Sequence, residues 1–171
     1  MYRKVNYLAV TTISLIVATL FIALTSASLS QAPKSNFSGS WILNVEKSEF
    51  GNTPQNAAVK QFSIDQKVDS IYIDRITINA NNEQEKSSEV LSFDGKECVK
   101  SFPNGRIKKS SVTWSPDGNV MTTVSSYSAP DDREKIDYVL TQTWEFANNN
   151  KELLVNLQSP AYTIKLIYDK Q

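Results

Sequence analysis

The 171-residue sequence contains no histidine and a single cysteine, Cys98. Without histidine the chain cannot assemble a Ser-His-Asp or Cys-His catalytic arrangement by itself. Imidazole is also the commonest metal ligand among side chains, so neither zinc nor copper is expected, and no other cofactor is indicated. A lone cysteine cannot form an intramolecular disulfide. We therefore expect a protein that is not an enzyme, with no catalytic residues, and we interpret Cys98 as a small apolar residue of a strand.

Net charge is also absent, because 18 basic residues balance 18 acidic ones. A nucleic-acid-binding surface is typically basic, so no nucleic-acid partner is expected. The pattern places Lys108, together with Arg106 and Lys109, at a charged strand edge that discourages aggregation. Most carboxylates fall on outward strand positions or in turns and are expected to be solvated; they include Asp65, Asp69, Asp74, Glu89, Glu97, Glu134 and Asp137.

One long uncharged apolar run lies near the start of the sequence, at residues 8–24. Basic Arg3 and Lys4 precede it, and the small residues 25–28 follow it. This order is typical of a secretory signal, so we predict a signal peptide over residues 1–27, cleavage after Ala27 and a periplasmic or extracellular location. Cleavage after Ser30 is the second choice. An uncleaved membrane anchor is the alternative, and only then would the chain contact a membrane.

The remainder is long enough for one domain, which we assign to residues 37–171 after a flexible leader at 28–36. Apolar and polar residues alternate with period two through 136–146 and again through 162–169. Such alternation predicts strands with one face on a core and the other on water. The predicted strands lie near 38–44, 59–65, 70–78, 86–93, 96–102, 106–114, 119–127, 134–147, 151–157 and 161–169.

Closely spaced turn signals set the predicted topology. Asp94-Gly95, Asn104-Gly105 and Asp117-Gly118 favour tight turns, and the asparagines at 148–150 occupy an equivalent position. These intervals leave no room for crossover helices, so neighbouring strands should pair in order as an antiparallel meander. About ten such strands are expected to close into an all-β barrel. Isoleucines that change parity within the third strand predict a β-bulge near Asp74-Arg75.

The first strand carries Gly39-Ser40-Trp41-Ile42-Leu43-Asn44, and this Gly-x-Trp start resembles that of lipocalins and related calycin barrels. Phe93-Asp94-Gly95-Lys96 and the closing residues 165–169 are similar to small secreted bacterial proteins called lipocalin-like. The resemblance implies a barrel whose end is closed by Trp41, with Gly39 permitting close backbone approach. The long helix and the disulfides of lipocalins have no counterpart in this sequence.

Polar residues on faces predicted to point inward favour an interior that holds a ligand. Gln142 lies between Leu140 and Trp144, and Thr122 and Ser126 share a face with Val120 and Val124. A dry core would exclude these side chains unless they found partners, whereas a ligand cavity accommodates them. A tightly packed core is the alternative. The expected ligand-lining residues are Trp41, Phe62, Thr122, Tyr138, Gln142, Trp144 and Tyr162, with the loop 45–58 as a lid over one mouth.

The functional expectation is an exported barrel that binds a small hydrophobic or amphipathic molecule. The alternative is a structural or protein-interaction module of the cell envelope without such a ligand. That module would use an outward apolar patch, for which the pattern predicts Met121, Val139, Leu154 and Ile167. The sequence indicates neither the identity of the ligand nor the oligomeric state.

Overall fold

The computed structural model describes residues 32–79 and 81–171. The predicted signal peptide and both predicted cleavage sites lie outside these residues. The described residues form a short 3-10 turn, Gln55–Ala57, and ten strands. The strands are β1 (Gly39–Glu49), β2 (Gln61–Gln66), β3 (Ser70–Ile78), β4 (Gln84–Ser92), β5 (Cys98–Ser101), β6 (Ile107–Trp114), β7 (Met121–Ser128), β8 (Ile136–Ala147), β9 (Glu152–Gln158) and β10 (Thr163–Lys170). No helix among the described residues is long and apolar enough to cross a membrane.

All ten strands belong to one antiparallel sheet that curls into a nearly closed barrel, which confirms the predicted meander. The first and last strands pair with each other, with Trp41 opposite Lys170 and Leu43 opposite Tyr168. Sequence neighbours pair along the rest of the sheet, but β4 and β5 are its two edges. The gap between these two edges is the one departure from the expected pairing.

Glycine and asparagine adopt the backbone conformations that the turn signals require. Gly95, Gly105 and Gly118 have φ values of 79°, 85° and 72°. The asparagines at 148–150 have φ values of 49°, 54° and 64°. Asparagine tolerates this left-handed region better than most residues, so the β8–β9 turn forms without glycine.

The predicted bulge at Asp74-Arg75 is wrong, because β3 pairs with both neighbours in unbroken register. Ile71 and Ile73 are buried on the inward face, and the next inward residue is Arg75 rather than an isoleucine. Cross-strand pairing with the buried Phe62 fixes this orientation. The isoleucines therefore move from odd to even positions of β3 because a charged residue, Arg75, takes the next inward position.

Aromatic side chains pack tightly at one end of the barrel. Phe37 is fully buried, and its ring stacks on Trp114 with centroids 5.8 Å apart. The indole Nε1 of Trp41 donates to the Phe37 carbonyl at 2.9 Å. The strand ends that meet here include the start of β1 and the end of β8, which contributes Phe146 at 4.9 Å from Phe37. This aromatic end leaves the opposite half of the barrel as the place for a site.

The described part of the predicted leader, residues 32–36, makes defined contacts with that aromatic end. The Ser35 amide donates to the Gly118 carbonyl at 2.8 Å. The Gln66 side chain donates to the Ser35 carbonyl at 2.8 Å and accepts from the Phe37 amide at 3.0 Å. These bonds tie the segment before β1 to the β6–β7 turn and to the end of β2.

Candidate functional site

An apolar cavity of about 200 Å³ lies in the half of the barrel away from the aromatic end. Strands β2, β9 and β10 supply most of its wall, because alternate residues of each strand point inward. The residues from these strands are Phe62, Val155, Leu157, Ile164, Leu166 and Tyr168, and Tyr162 lines the cavity from the turn before β10. Arg75 and Gln142 are polar members of an otherwise apolar lining.

The segment between β1 and β2 covers this cavity. Thr53, Ala57, Ala58 and Val59 line it, and the Tyr168 hydroxyl donates to the Val59 carbonyl at 3.1 Å. The second half of the predicted lid 45–58 is therefore placed over a cavity, as expected. The first half is wrong, because residues 45–49 continue β1.

A second cavity of about 220 Å³ adjoins the first and has a charged lining. Val59, Arg75 and Gln142 line both cavities and so form the boundary between them. The remaining lining of this charged compartment comes from β4 to β7, and consists of Ser87, Glu89, Lys100, Phe102, Lys108 and Tyr127. The interior thus has an apolar compartment and a charged compartment that meet at Arg75 and Gln142.

Glu89 is the centre of a buried ion cluster formed by three strands. The Arg75 guanidinium lies 2.9 Å from one carboxylate oxygen of Glu89, and the Lys108 ammonium lies 2.5 Å from the other. The exposed fractions of the Arg75, Glu89 and Lys108 side chains are 14%, 5% and 10%. Buried charges of this kind are retained only when they are paired, and here each charged group has an opposite partner.

Burial and pairing act in opposite directions on the pKa of Glu89. Burial by itself raises it, but the attraction of Arg75 and Lys108 prevails and holds the pKa below the ordinary carboxyl value. Glu89 is therefore ionised at neutral pH. Burial lowers the pKa of Lys108, and the pull of Glu89 offsets that only in part. Burial also raises the pKa of the Tyr127 hydroxyl, which stays neutral beside the cluster.

Two predictions of surface charge are wrong at this site. Glu89 is among the carboxylates expected on a solvated surface, but it pairs across the sheet with the inward Ile73. Lys108 is predicted at a solvated edge, but it points inward opposite Tyr127. Both residues are buried because each neutralises the other, and partners on separate strands leave no trace in the alternation of a single strand.

The seven predicted lining residues fall into four groups. Phe62, Gln142 and Tyr162 line the apolar cavity. Trp41 and Trp144 are buried in the core, and Trp144 contacts Phe62 with ring centroids 5.0 Å apart. Tyr138 is half-buried and stacks on Tyr127 at 4.5 Å. The last predicted residue, Thr122, lies on the other face of its strand.

The predicted parity of β7 is wrong. Met121, Thr123 and Ser125 are buried, while Val124 is 42% exposed, so Thr122 and Ser126 point away from the interior. Hydroxyl residues occur on both faces of this strand, which hides the alternation. The bulky Met121 and Tyr127 on odd positions carry the signal that identifies the inward face.

Because the wrong face of β7 was predicted to point inward, the polar residues on its true inward face were not predicted. Thr123 lies opposite Gln142 on β8. Ser125 and Ser110 share a hydrogen bond of 2.9 Å between their hydroxyls. The interior therefore contains hydroxyl and amide groups as expected, but the β7 hydroxyls come from odd positions.

The outward apolar patch predicted for a protein-interaction module is also wrong in part. Met121 is fully buried, and Ile167 is 7% exposed. Val139 is 38% exposed, and Leu154 is half-buried. These four residues therefore do not form one exposed apolar surface.

Comparisons with known proteins support the architecture. No protein-family model matches the sequence, and no curated protein matches it either. A fatty acid transporter named REP1-NXSQ is similar in structure, with a TM-score of 0.52 and 18% identity over 78% of this chain and 95% of that chain. The fluorescent protein UnaG gives a TM-score of 0.53 and 18% identity over 79% of this chain and 97% of that chain.

A secretory abundant heat soluble protein from Ramazzottius varieornatus gives a TM-score of 0.55 with 16% identity. The alignment covers 82% of this chain and 98% of that chain. At these identities the likeness concerns the fold alone, a nearly closed antiparallel β-barrel. It agrees with the architecture implied by the Gly-x-Trp resemblance.

Proposed function

We propose that this protein binds a small amphipathic anion inside the barrel, with its apolar part in the apolar cavity and its acidic group at the charged compartment. The observation that carries this proposal is the boundary at Arg75 and Gln142, which line both compartments. A ligand with an apolar end and a charged end matches the linings on both sides of this boundary. A purely apolar ligand would leave the charged compartment unused.

The charge of the cluster favours an acid over a base or a neutral group. Arg75, Lys100 and Lys108 supply up to three positive charges around the single carboxylate of Glu89. Arg75 and Lys100 alone exceed the charge of Glu89, so the compartment is positive even if Lys108 releases its proton. In a partly buried site such an excess attracts a carboxylate, sulfate or phosphate group.

The size of the two compartments agrees with one ligand that occupies both. Small-molecule sites usually enclose at least roughly 300 Å³. Each compartment alone, at about 200 Å³ and about 220 Å³, is smaller than that. A molecule spanning both uses a volume typical of a ligand site. The similarity in fold to a fatty acid transporter supports a search among acids with an apolar chain.

A matched pair of fluorescent ligands tests the proposal. A dansylated medium-chain fatty acid should bind to protein refolded free of its ligand, and its methyl ester should bind about tenfold more weakly or worse because it cannot pair with the cations. Arg75→Met should remove most of this preference, since Met keeps an apolar stem but lacks the guanidinium. Arg133→Met, at an exposed position, is the control and should retain the preference.

The proposal fails if the wild-type protein binds neither ligand, or binds acid and ester equally. Equal loss of preference in Arg75→Met and Arg133→Met would also contradict it, because a surface change would then mimic the site change. Circular dichroism of both variants establishes that each retains its β-structure before the titrations are compared.

We further propose that the protein acts as a carrier outside the cytoplasm and not as an enzyme. The support is the secretory order of residues 1–28 and the absence of histidine from the chain. Fractionation of host cells followed by N-terminal sequencing tests the location. A new terminus at Ser28 or Gln31 is the expected result; an intact terminus in the membrane fraction would indicate an anchored protein, and one in the cytoplasm would refute export.

A further inference from the structure

The seam between β4 and β5 is the place where the barrel wall lacks a ladder of backbone hydrogen bonds. Among residues 32–79 and 81–171, β4 pairs only with β3, and β5 pairs only with β6, at the two edges of the sheet. Separating β4 from β5 therefore breaks no strand pairing, whereas opening the wall between other neighbouring strands does.

Two side-chain bonds bridge this seam in place of a ladder. The Lys100 ammonium donates to the Ser88 carbonyl at 2.8 Å. The Ser92 amide donates to the Cys98 sulfur at 3.2 Å, close to the turn that connects the two strands. The Glu89–Lys108 pair adds a third link, between β4 and β6. Each of these links is made by a side chain and breaks when that side chain rotates. A ladder of backbone hydrogen bonds does not break in this way.

An outer cleft of about 240 Å³ lies on the seam, framed by the first two of these bridges. Its lining comes only from the two edge strands, and consists of Ser88, Glu89, Val90, Cys98, Val99 and Lys100. Glu89 and Lys100 also line the charged compartment inside the barrel. The outer cleft and the interior are therefore adjacent spaces that share these two side chains.

We propose that the seam between β4 and β5 is the entrance through which molecules reach the interior, with the Lys100 side chain as its gate. In the closed state Lys100 spans the seam to Ser88; rotation of its flexible stem joins the outer cleft to the charged compartment. This inference rests on the proposed function for the identity of the cargo. The positive charge of Lys100 then meets the acidic group of the ligand first.

Packing obstructs two other parts of the barrel. The aromatic end is filled by fully buried Phe37 and Trp41. The apolar cavity is covered by residues 53–59, which the Tyr168–Val59 hydrogen bond holds in place. A passage at the seam requires side chains to rotate, among them Lys100, whereas a passage through the cover of the apolar cavity requires displacement of a packed segment.

A thiol reporter inside the barrel tests the entrance without any ligand. Gln142→Cys places a thiol at the boundary of the two compartments, and its reaction with the neutral reagent methyl methanethiosulfonate is followed by peptide mass spectrometry. Adding Lys100→Ala should accelerate this reaction about tenfold or more, because the closed state loses one charge-assisted hydrogen bond. Lys100→Arg, which retains a cationic donor, should stay within about threefold of the reference rate.

Two further variants restrict access instead of increasing it, one at the seam and one at the cover of the apolar cavity. Ser92→Cys, oxidised to a disulfide with Cys98, should slow labelling at position 142, and reduction should restore it. Thr53→Trp, which adds bulk to the cover of the apolar cavity, should leave the rate unchanged. The proposal is overturned if Lys100→Ala has no effect, or if Thr53→Trp slows labelling while the disulfide does not. Leu157→Cys, which also faces the apolar cavity, is a second reporter should Gln142→Cys not fold.

The outcome separates this inference from the proposed function. Labelling uses a neutral reagent, so it reports on access whether or not an amphipathic anion binds. Faster labelling in Lys100→Ala together with no binding of the fluorescent acid would support the seam and refute the ligand. Normal binding of the acid with unchanged labelling would support the ligand and refute the seam.

Discussion

Glu89 is held inside the barrel by cations from two other strands, and its charge is coupled to the stability of the fold. Its pKa lies below the ordinary value of 4.5 in the folded protein because Arg75 and Lys108 outweigh the effect of burial. A carboxyl group with a lowered folded pKa stabilises the protein above its unfolded pKa. That contribution is lost as the pH falls through the folded pKa.

The variant Glu89→Gln should therefore lower the free energy of unfolding by about 3 kcal/mol at pH 7, because two buried cations lose their counter-charge. The difference between the variant and the wild type should shrink as the pH falls below 4.5, because protons then bind first to the unfolded wild-type carboxyl group and, at lower pH, to the folded one. Urea unfolding followed by circular dichroism between pH 7 and pH 3 measures both quantities.

An exposed glutamate provides the control for this pH dependence. Glu134→Gln changes a residue in the solvent-exposed β7–β8 turn, where single substitutions usually alter stability by less than about 0.5 kcal/mol. Its unfolding profile should follow that of the wild type at every pH. A Glu89→Gln profile that also ran parallel to the wild type would show that Glu89 is not stabilised as an anion.

The ion cluster is the part of the candidate site that the sequence did not predict. Alternation predicts which face of a strand points inward from the positions of the apolar residues on that strand. In β3 isoleucines occur on both faces, so alternation does not assign Arg75 to either face. Only pairing across β3, β4 and β6 shows that one carboxylate satisfies two cations. Gln142 was predictable because Leu140 and Trp144 flank it on an unambiguous face.

The β6–β7 turn supports the segment before β1 through one glycine. A Cβ atom at Gly118 would overlap the Pro33 carbonyl oxygen, and the residue has a φ of +72°. Gly118→Ala should therefore combine backbone strain with a steric clash and cost about 1–3 kcal/mol beyond the strain alone. Urea unfolding measures the stability, and limited proteolysis after Lys34 should become faster as the segment detaches.

Gly95 is the control that measures backbone strain without a steric clash. Its φ is +79°, and a Cβ atom added there would meet no other atom within 4 Å. Gly95→Ala should cost only about 1–2 kcal/mol, the strain of a left-handed non-glycine residue. Proteolysis after Lys34 should be unchanged in this variant. Equal effects of the two substitutions would mean that contact with Pro33 contributes nothing to the turn.

The strands themselves were largely predictable, since turn residues delimit them and most strands have one clear face. All ten predicted strands correspond to observed ones, with ends that differ by a few residues. The prediction of strand faces and strand ends failed where apolar and polar residues did not alternate clearly. Strand β7 has hydroxyls on both faces. Strand β1 continues through the polar residues 46–49, where its pairing with β10 resumes at Glu49 and Lys165 after a register shift.

The barrel as a whole is polarised along its axis. Phe37, Trp41 and Trp114 fill one end, while the apolar and charged compartments occupy the other half. Closure depends on β1 pairing with β10, so residues near the two ends of the domain must meet before the interior exists. Because strands from the whole sheet form the interior, a molecule bound there should increase the free energy of unfolding of the whole barrel.

Binding inside such a barrel should raise the midpoint of thermal unfolding, because the ligand has no site on the unfolded chain. At a free concentration one hundred times its dissociation constant, a ligand adds about 2.7 kcal/mol, equivalent to roughly 8 °C for a domain of this size. The dansylated acid should produce this shift in wild-type protein refolded without ligand, and a much smaller one in Arg75→Met. Calorimetry at increasing acid concentration measures the shift. A midpoint that stays constant, while fluorescence still reports binding, would place the acid on the outer surface and contradict an interior site.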